Sequence, residues 1–594
     1  MDERIGNFWQ RIEIESMQWL KKVMAVAIAG VLILSLVACG KGQTRNEVVQ
    51  SVPGDPKTFN AVLSAESPNI FGLTYEGLLA ENPITGKKEP RLAESWEISD
   101  DKLSIIFTLR EGLKWSDGKP LTADDVVFSF NDLYLNPDIP NNSKDGFRIG
   151  KKGVFPTVKK LDDRRVEFRI PEPYAPFLDS LGVSILPKHV LEKSVRKKGK
   201  DGKLEFLSVW GIDTPPEEIV FSGPYKLKEY ITGQRIIFEK NPYYWKKDKE
   251  GKQLPHIDRV VWAIVESPDT SLVQFRSGGL DSIRVTPEYF SLLKNEENRG
   301  NFTIYNGGPA YGTQFLSFNL NKGKRNGKPL VDPIKSRWFN NVKFRQAIAY
   351  AIDRQRMIDN IYRGLGQEQN SFMSIQSPYY DKNLKGYQYD PERAKQLLLE
   401  AGFKYNGQNL LVDQDNNPVR FTLITNAENK TRQFMGAQIK EDLAKIGIKV
   451  DFQPTAFNNL VDKLNVDLDW EAHILGFTGD NDPHAPNIWY VDGNLHSFNQ
   501  QSPPGKALEG QEVADWEEKI AQLYIQGSQE LDPAKRKVIY DEIQHLQNEY
   551  VPFIYLVNPL SLGAVRNCFE EIQYSALGGE FWNLDELKKV CEKT

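Results

Sequence analysis

The feature that most constrains the fold of this chain is an apolar run near its start. Val23–Leu36 contains 14 residues, none of them charged, and it directly follows Lys21 and Lys22. A membrane-spanning helix needs about 20 apolar residues, so this run is too short to cross a bilayer. Its length and its basic flank are instead typical of the apolar region of a secretory signal peptide. The sequence therefore predicts that the rest of the chain folds after export from the cytoplasm.

The residues that end this run predict a lipid anchor. Leu36-Val37-Ala38-Cys39 resembles the lipobox of bacterial lipoproteins, which implies diacylation of Cys39 and cleavage directly before it. The signal segment is then 1–38, and its true start is predicted at Met17, because the acidic stretch Met1–Ser16 does not fit a short basic leader. The expected location is extracytoplasmic, lipid-anchored to the membrane, either in a periplasm or on the outer face of the cell membrane.

Length, charge and cysteine content limit the class of protein. Removing residues 1–38 from the 594-residue chain leaves 556, which is too long for one hydrophobic core, so about two to four domains are expected. A net charge of −5 without a basic stripe argues against nucleic acid as a partner. If Cys39 carries lipid, Cys568 and Cys591 remain as an even pair, which leaves both a disulfide and two free thiols open.

Hydrophobic periodicity predicts a mixed α/β fold. The alternating runs Leu103–Leu109 and Arg259–Val265 are typical of strands. The clearest helical pattern is Val342–Arg363, with Gly364 as its stop. Further helices are predicted after Thr122, after Asp390, over Arg432–Ile446 and twice within Trp516–Glu549. Strands and helices that alternate along the whole chain indicate the α/β class.

Three groups of short segments carry a resemblance to a known family. They are Tyr75-Glu-Gly-Leu-Leu79 with Pro90-Arg-Leu-Ala-Glu-Ser-Trp96, Phe107-Thr-Leu-Arg-Glu-Gly-Leu-Lys-Trp-Ser-Asp-Gly118 and Leu121-Thr-Ala-Asp-Asp-Val126; Gly223-Pro-Tyr225 with Asn241-Pro-Tyr-Tyr-Trp245; and Val342-Lys-Phe-Arg-Gln-Ala-Ile-Ala-Tyr-Ala-Ile-Asp353. In order and spacing they resemble the family 5 extracellular solute-binding proteins of ABC importers, the group that contains the dipeptide- and oligopeptide-binding lipoproteins. Taken singly, their tryptophans are better explained as core residues than as ligand contacts.

The resemblance implies a bilobed, periplasmic-binding-protein-like α/β fold with an extra subdomain inserted in the first lobe. The two lobes are expected to close over a ligand held in the cleft between them, and such clefts are common small-molecule sites. The expected limits are 39–83, 213–305 and 553–594 for lobe one, 84–212 for the inserted subdomain, and 306–552 for lobe two.

The same resemblance implies binding without catalysis. The chain is expected to be a monomeric, membrane-tethered substrate-binding protein that captures a peptide ligand and delivers it to the permease subunits of an ABC importer, with no cofactor and no metal of its own. Two alternatives stay open: a binder of a non-peptide solute such as a metal chelate, and a peptide-signal receptor or chaperone on the same fold. A hydrolase is disfavoured because the common serine-hydrolase, zincin and phosphate-loop motifs do not occur in the sequence.

A candidate site for the ammonium of a peptide lies in Gly476-Phe-Thr-Gly-Asp-Asn-Asp-Pro483. A peptide presents an ammonium, a carboxylate and a backbone, so its site needs a carboxylate and a cation. The segment resembles the one with which dipeptide binders of this family hold the ligand ammonium, and Asp480 falls at the matching aspartate. The chain is one residue shorter before Asp482, which is the second candidate. Aspartates also cap turns, which is the competing explanation for both.

Three further residues are predicted as ligand contacts. Arg432 is the candidate for the peptide carboxylate because a planar guanidinium suits bidentate pairing, although an exposed arginine at a helix start would fit the pattern as well. Trp489 and Tyr75 are candidates for pocket walls, and each is equally compatible with a place in the core. His473 and His484 lie near His496 in sequence, but without the compact spacing of metal ligands, so no metal site is predicted.

Overall fold

A computed structural model describes residues 46–64, 68–150, 152–200, 202–502 and 508–591. The predicted signal segment 1–38, with Met17, and the predicted lipid-bearing Cys39 lie outside these ranges. Across the described ranges, no helix combines the length and the apolar character that a membrane span requires.

The first sheet joins the start of the described chain to residues some two hundred positions later. Its four strands lie in the order Glu47–Val52, Arg259–Ile264, Arg235–Lys240 and Tyr225–Ile231. The first two pair in parallel, with Val48 beside Val260, and the other pairs are antiparallel. The chain between Val52 and Tyr225 therefore leaves this sheet and returns to it, as an inserted region does.

The inserted region builds an antiparallel sheet of its own. The strand order is Ala93–Ile98, Ser104–Leu109, Arg165–Arg169 and Thr157–Lys160. The Thr122 side chain caps the helix Ala123–Phe128 by accepting from the Asp124 N–H, and the Asp125 carboxylate accepts from the Thr122 N–H, so two backbone donors at the helix start are satisfied. The rings of Phe107, Phe130 and Phe168 meet edge to face beneath the sheet. One continuous core connects this sheet to the first one.

A five-stranded sheet lies at the centre of the second core. Its order is Lys449–Thr455, Arg420–Asn426, Ala472–Leu475, Phe315–Phe318 and Phe553–Tyr555. The first three strands run in parallel, and the last two pair antiparallel to their neighbours. The four residues of Phe315–Phe318 are all buried, because helices and loops cover both faces of this strand.

Two neighbouring connections link the second core to a further sheet. That sheet has the order Ser282–Arg284, Val557–Arg566 and Phe302–Pro309, with Gly366–Glu368 paired to the start of its central strand. The Ala310 N–H donates to the Pro559 carbonyl over 2.9 Å, and the Leu556 N–H donates to the Gln314 carbonyl over 2.9 Å. The two crossings therefore run side by side and form the link between the cores.

Helices pack against these sheets. Those of the first core and its insert are Phe71–Thr74, Ala123–Phe128, Phe177–Ser180, Lys188–Arg196, Pro268–Arg276 and Pro287–Gly300. Those of the second core are Pro333–Asn340, Val342–Ala351, Arg354–Asn360, Pro391–Glu400, Lys430–Ala444, Phe457–Asp462, Pro486–Trp489, Asp515–Gln529 and Pro533–Tyr550. Short two-stranded pairs complete the described fold: Leu79–Glu81 with Lys88–Pro90, Lys324–Arg325 with Lys328–Pro329, Lys404–Tyr405 with Leu411–Val412, and Phe569–Glu570 with Lys588–Lys589.

The prediction of an α/β class is confirmed, but the prediction of one helix over Val342–Arg363 is wrong. The helix ends at Ala351, and a second one begins at Arg354. Asp353 interrupts the run because its side chain caps the second helix, accepting a hydrogen bond from the Arg356 N–H. The buried Arg354 guanidinium donates to several backbone carbonyls there, among them that of Tyr555. The helix predicted from Asp390 is present, with Asp390 as its cap.

Cys568 and Cys591 form a disulfide, with their Cα atoms 4.8 Å apart. It holds the end of the described chain beside the pair of strands Phe569–Glu570 and Lys588–Lys589. Of the two arrangements that the sequence left open, the structure has the disulfide.

Candidate functional site

The candidate site lies on the loop that follows the strand Ala472–Leu475. Gly476 and Gly479 let this loop pass close to a neighbouring chain segment, because a Cβ on either would overlap the carbonyl oxygen of Thr313 or of Tyr311. The loop ends at the short helix Pro486–Trp489, which starts with proline in its first turn. The two glycines and the proline thus hold the loop backbone close to the carboxyl end of the central strand of the sheet.

A cavity of about 310 Å³ lies over this loop, and we call it the loop cavity. Asp480 and Asp482 both line it, as do the apolar side chains of Phe372 and Phe477. The loop cavity thus combines carboxylates with aromatic walls, the mixture that ligand pockets for small polar molecules show. Both aspartates of the segment that the sequence singles out lie on this cavity, and ligand contact by either of them stays a prediction.

Asp480 is exposed at the surface of this cavity. Its Oδ1 accepts a hydrogen bond of 2.7 Å from the Asn481 N–H, and no lysine, arginine or histidine of the described ranges lies within ion-pair distance of it. Desolvation by the surrounding protein raises the pKa of Asp480, and the nearby carboxylate of Glu81 adds to that effect. The charge of a cationic group in the cavity would stabilise the Asp480 carboxylate and so offset the desolvation and the repulsion from Glu81.

Asp482 has a different environment, because Arg536 engages it. The guanidinium Nη1 lies 2.5 Å from Oδ2 and Nη2 lies 3.0 Å from Oδ1, while Oδ1 also accepts from the His484 N–H. Burial alone would raise the pKa of Asp482, but the charge and hydrogen bonds of Arg536 outweigh it and hold that pKa below its usual value. Asp482 therefore fixes the loop onto the helix Pro533–Tyr550.

Across the cleft, the inserted region and the strand Leu79–Glu81 supply a second set of charges. Asn481 donates from Nδ2 to Glu81 Oε1 over 2.6 Å, which ties the loop to the opposite side. Lys88 forms ion pairs with both Glu81 and Asp179. Burial, followed by the charge of Asp482, raises the pKa of Asp179 to about 6, and Lys88 opposes this only in part. Carboxylates outnumber cations on these facing walls, so the cleft favours a cationic group.

A polar contact closes the cleft at one side of the loop cavity. Tyr174 of the inserted region and His484 are joined by a hydrogen bond of 2.9 Å between the phenol oxygen and Nε2. Burial lowers the pKa of His484 to about 4, so its imidazole is neutral at pH 7. The Nδ1 atom of His484 is buried and has no hydrogen-bond partner among the described residues.

Arg432 lies at the other end of the same loop. Its Nε donates to Gln314 Oε1 over 2.9 Å and its Nη1 donates to Asn426 Oδ1 over 3.0 Å. These partners are neutral, and among the described residues no carboxylate pairs with it. Burial lowers the pKa of Arg432. Arginine nevertheless stays charged in proteins, and this guanidinium has no carboxylate partner among the described residues. Its Nη2 lies against Gly476. Gly476 precedes Asp480 by four residues, so the backbone at these two positions is separated by at most about 14 Å.

The two aromatic candidates lie in the protein core. Trp489 is 1% exposed and stacks on Tyr524 with ring centroids 5.8 Å apart. Tyr75 is 4% exposed and donates from its hydroxyl to the Val220 carbonyl over 2.8 Å. Neither lines the loop cavity. The structure therefore brings Asp480 and Asp482 together on the loop cavity, whereas Arg432, at the Gly476 end of the loop, and the two aromatic residues do not line it.

Several residues that shape this site were not predicted from the sequence: Glu81, Lys88, Asp179, Tyr174, Phe477 and Arg536. Most come from segments far from the loop in sequence, so no local pattern marks them. Phe477 is the one that the sequence could have indicated, because an aromatic residue in a glycine-rich loop does not belong to the periodic apolar pattern of a helix or strand. The three histidines 473, 484 and 496 occupy separate environments, and no cluster of potential metal ligands occurs in the ranges that the structure covers.

Comparison with known proteins agrees with this architecture. Residues 87–499 match the family described as bacterial extracellular solute-binding proteins, family 5 Middle. A probable ABC transporter-binding protein of Deinococcus radiodurans is 33% identical over 528 residues, covering 84% of this chain and 85% of that protein. Heme-binding protein A of Haemophilus influenzae is 33% identical over 459 residues, covering 74% of this chain and 76% of that protein.

A solved structure shares the whole fold. The oligopeptide-binding protein AppA of Bacillus subtilis, in complex with a nonapeptide, superposes with a TM-score of 0.69 and 25% sequence identity, covering 93% of this chain and all of that one. The bilobed binding-protein fold expected from the sequence is confirmed by this similarity. With a family match over most of its length, the chain belongs to the family 5 bacterial extracellular solute-binding proteins.

Proposed function

We propose that this protein captures peptides in the cleft between its lobes and delivers them to the permease of an ABC importer. The observation that carries the proposal is Asp480, an exposed carboxylate on the loop cavity that pairs with no cation of the described ranges. The similarity to a structure that holds a nonapeptide supports the same ligand class. Membership of a solute-binding family, rather than of an enzyme family, agrees with binding without turnover.

The ends of a peptide find complementary charges in this arrangement. Its ammonium pairs with Asp480, and a charge-assisted hydrogen bond of this kind is worth about 1.5–3 kcal/mol. Its carboxylate pairs with Arg432, whose present partners are the neutral Gln314 and Asn426. The aromatic walls at Phe372 and Phe477 cover the peptide between its ends. Ligand contacts from both walls favour the closed form of the cleft.

The domain limits and the membrane tether belong to the same proposal. Lobe one comprises 39–83, 213–305 and 553–594, with 84–212 inserted, and lobe two comprises 306–552. Two strand pairings between distant segments support this division: Glu47–Val52 with Arg259–Ile264, and Val557–Arg566 with Phe302–Pro309. The protein acts as a monomer, held at the membrane by lipid on Cys39. Two acyl chains give stable anchoring where one is marginal.

A non-peptide solute is the second candidate, because the Haemophilus influenzae relative carries the name of a heme binder. Native mass spectrometry of the protein purified from its own cells, with whatever ligand it retains, decides between them. Retained masses that match peptides support the proposal, and a retained tetrapyrrole or chelate overturns it. Incubation with a defined peptide, followed by mass analysis of that peptide, also separates a binder from a hydrolase, because only a hydrolase converts it.

A further inference from the structure

We propose that the face of lobe one from which the lipid tether leaves the fold is a contact surface for anionic phospholipids, and that it orients the anchored protein on the bilayer. The inference goes beyond ligand capture and rests on one part of the proposed function, the lipid on Cys39. We call this surface the tether face. It consists of five lysines around Asn46, the first residue that the structure describes: Lys240, Lys247, Lys249, Lys252 and Lys588.

The tether brings this face within reach of the bilayer. Seven residues lead from Cys39 to Asn46, so the tether spans at most about 25 Å. Asn46 itself is fixed to the fold: its Nδ2 donates to the His256 carbonyl over 2.8 Å, and its carbonyl accepts from the Asp258 N–H over 2.9 Å. The residues around Asn46 can therefore reach the headgroups, whereas the far side of the protein stays beyond the roughly 8 Å over which salt screens their charge.

Lysines from three segments converge beside Asn46. Burial lowers the pKa of His256, and the positive charges of Lys588, Lys252 and Lys240 lower it further. These three lysines belong to the C-terminal strand, to a hairpin and to a strand of the first sheet, so they are far apart in sequence. Because His256 also holds the Asn46 side chain, all three lie close to the point where the tether leaves the fold.

The hairpin presents three of the lysines to solvent. The Asp248 N–H donates to the Lys252 carbonyl over 2.8 Å, and Asp248 Oδ1 accepts from the Lys252 N–H over 2.8 Å. The Asp248 side chain is 13% exposed, so it fixes the turn from the inner side. Lys247, Lys249 and Lys252 are exposed. The outer side of the hairpin thus carries three cations against one carboxylate, that of Glu250.

The hairpin lysines supply the excess positive charge of the tether face, because the other two have carboxylates close by. Lys240 pairs with Asp258 over 2.6 Å, and Lys588 lies opposite Glu570 in the C-terminal pair of strands. The chain as a whole has a net charge of −5. An anionic bilayer repels such a protein except where its surface is locally basic, so the tethered molecule has its lowest electrostatic energy with the hairpin toward the lipid.

Anionic phospholipid is the partner that matches both the charge and the position of this face. Each lysine close to an anionic bilayer raises the binding constant about fivefold. A lysine ammonium on its long stem approaches a phosphate as a point charge and needs no fixed geometry, which suits a fluid layer of headgroups. Two acyl chains already give stable anchoring, so the tether face adds orientation rather than attachment.

The test measures vesicle binding without the lipid anchor. The Cys39→Ser protein, produced without residues 1–38, is sedimented with vesicles of phosphatidylcholine, with or without added phosphatidylglycerol. At low salt it should bind the anionic vesicles at least about tenfold better than the neutral ones, and added salt should remove the difference. The combined variant Lys247→Gln, Lys249→Gln and Lys252→Gln should lose at least about tenfold in binding to the anionic vesicles.

A matched triple variant provides the control. Lys193→Gln, Lys198→Gln and Lys200→Gln together remove three exposed lysines from the inserted region and should leave vesicle binding within about twofold of its original value. Equal losses in the two triple variants, or equal binding to both kinds of vesicle, overturn this inference, while peptide binding and the lipid anchor are measured separately and stand. Loss of peptide uptake in the hairpin variant without loss of vesicle binding assigns the face to a protein partner and overturns it as well.

Hydrogen exchange of the lipidated protein gives a second measurement that needs no variant. On anionic vesicles the amides of 247–253 should exchange more slowly than on neutral vesicles, whereas those of the hairpin 198–204 in the inserted region should exchange equally on both. Equal exchange of 247–253 on the two kinds of vesicle overturns the orientation. A mature protein that carries no lipid removes the anchor from the proposed function, and the vesicle test then still reports whether the tether face binds phospholipid.

Discussion

Arg536 neutralises Asp482 through two hydrogen bonds, one to each carboxylate oxygen, whereas Asp480, two residues earlier, has no such partner among the described residues. The side chains of the pair are 5% and 17% exposed. Two aspartates of one loop are thus distinguished by environment alone. We expect Asp482 to maintain the loop and Asp480 to meet the ligand.

Removing one partner of the Asp482–Arg536 pair should destabilise the protein. Asp482→Asn leaves a mostly buried guanidinium without its counter-charge, a change that costs about 3 kcal/mol or more in free energy of unfolding. Urea unfolding followed by tryptophan fluorescence measures the loss. Asp541→Asn, which removes a more exposed ion pair with Lys537 on the same helix, is the control and should cost under about 1 kcal/mol. Equal losses for the two variants would contradict the structural role of Asp482.

Asp480→Asn should weaken the binding of a peptide with a free ammonium by at least about tenfold. Acetylation of the peptide N-terminus should weaken binding to the wild type by a similar factor. Because both changes remove the same charged pair, the two losses should not add. Calorimetry on the four combinations gives the coupling, with Asp462→Asn, an exposed aspartate of lobe two, as control. Additive losses would assign the ammonium contact to another residue.

Arg432→Gln should weaken the binding of peptides with a free C-terminal carboxylate about tenfold and leave the binding of C-terminally amidated peptides nearly unchanged. The guanidinium also holds Gln314 and Asn426, so a general loss of structure would affect both kinds of peptide alike. Arg432→Lys keeps the charge without the bidentate fork and should give an intermediate result. Calorimetry with matched free and amidated peptides makes the comparison, and an equal loss for both would remove Arg432 from the site.

Asp179 should make stability depend on pH. Burial and the charge of Asp482 raise the pKa of Asp179 to about 6 in the folded protein, against an ordinary value of 3.8. Between these values the folded state binds more protons than the unfolded state, so this contribution to stability is present in acid and declines as pH rises toward 6. Asp179→Asn should therefore gain stability relative to the wild type as pH rises from about 4 to 7.

Chemical denaturation at intervals across this range tests the sign. Asp100→Asn, an exposed carboxylate of the same inserted region, serves as the control and should keep a constant difference from the wild type. A difference between Asp179→Asn and wild type that is flat from pH 4 to 7 would refute the assignment of the raised pKa to this carboxyl.

Cys39→Ser should release the protein from the membrane without changing its soluble fold, because the lipid is predicted to be attached to that thiol. Each acyl methylene buried in the bilayer contributes roughly 0.8 kcal/mol to the free energy of membrane binding. A serine at this position accepts no lipid, so the variant loses this contribution. Cell fractionation with detection of the protein measures the release. A variant as firmly bound as the wild type, or a mature protein that still carries Met17, would contradict the anchor.

The sequence predicted the architecture well where local signals agree with packing. The cap at Thr122 and the one at Asp390 are both present, since a side-chain oxygen before an apolar run satisfies the first helix donors whatever the tertiary context. The break at Asp353 escaped prediction because apolar residues keep their period across it. The cap at Asp353 and the buried Arg354, which binds backbone carbonyls of distant segments, together account for the interruption.

The site was predictable only in part. The loop with Asp480 stands out by its glycines and aspartates, whereas Arg536, which neutralises Asp482, comes from a helix that begins only at Pro533. Trp489 and Tyr75 were predicted as ligand contacts but lie in the core. The sequence does not distinguish an aromatic ring that covers a ligand from one that fills a core. Contacts such as that between Asn481 and Glu81, separated by 400 residues, arise from tertiary structure alone.

The first core also has a consequence for how the chain is made. Val48 opens that core, yet Phe581 and Leu587 complete it, near the last described residue. The ribosome must therefore synthesise residues 48–587 before the first lobe can finish folding, and during that interval the apolar surfaces and strand edges of the lobe are uncovered. We expect the polypeptide to depend on chaperones that hold it unfolded until this segment has been made, and a truncation before Phe569 to destabilise the first core before the second one.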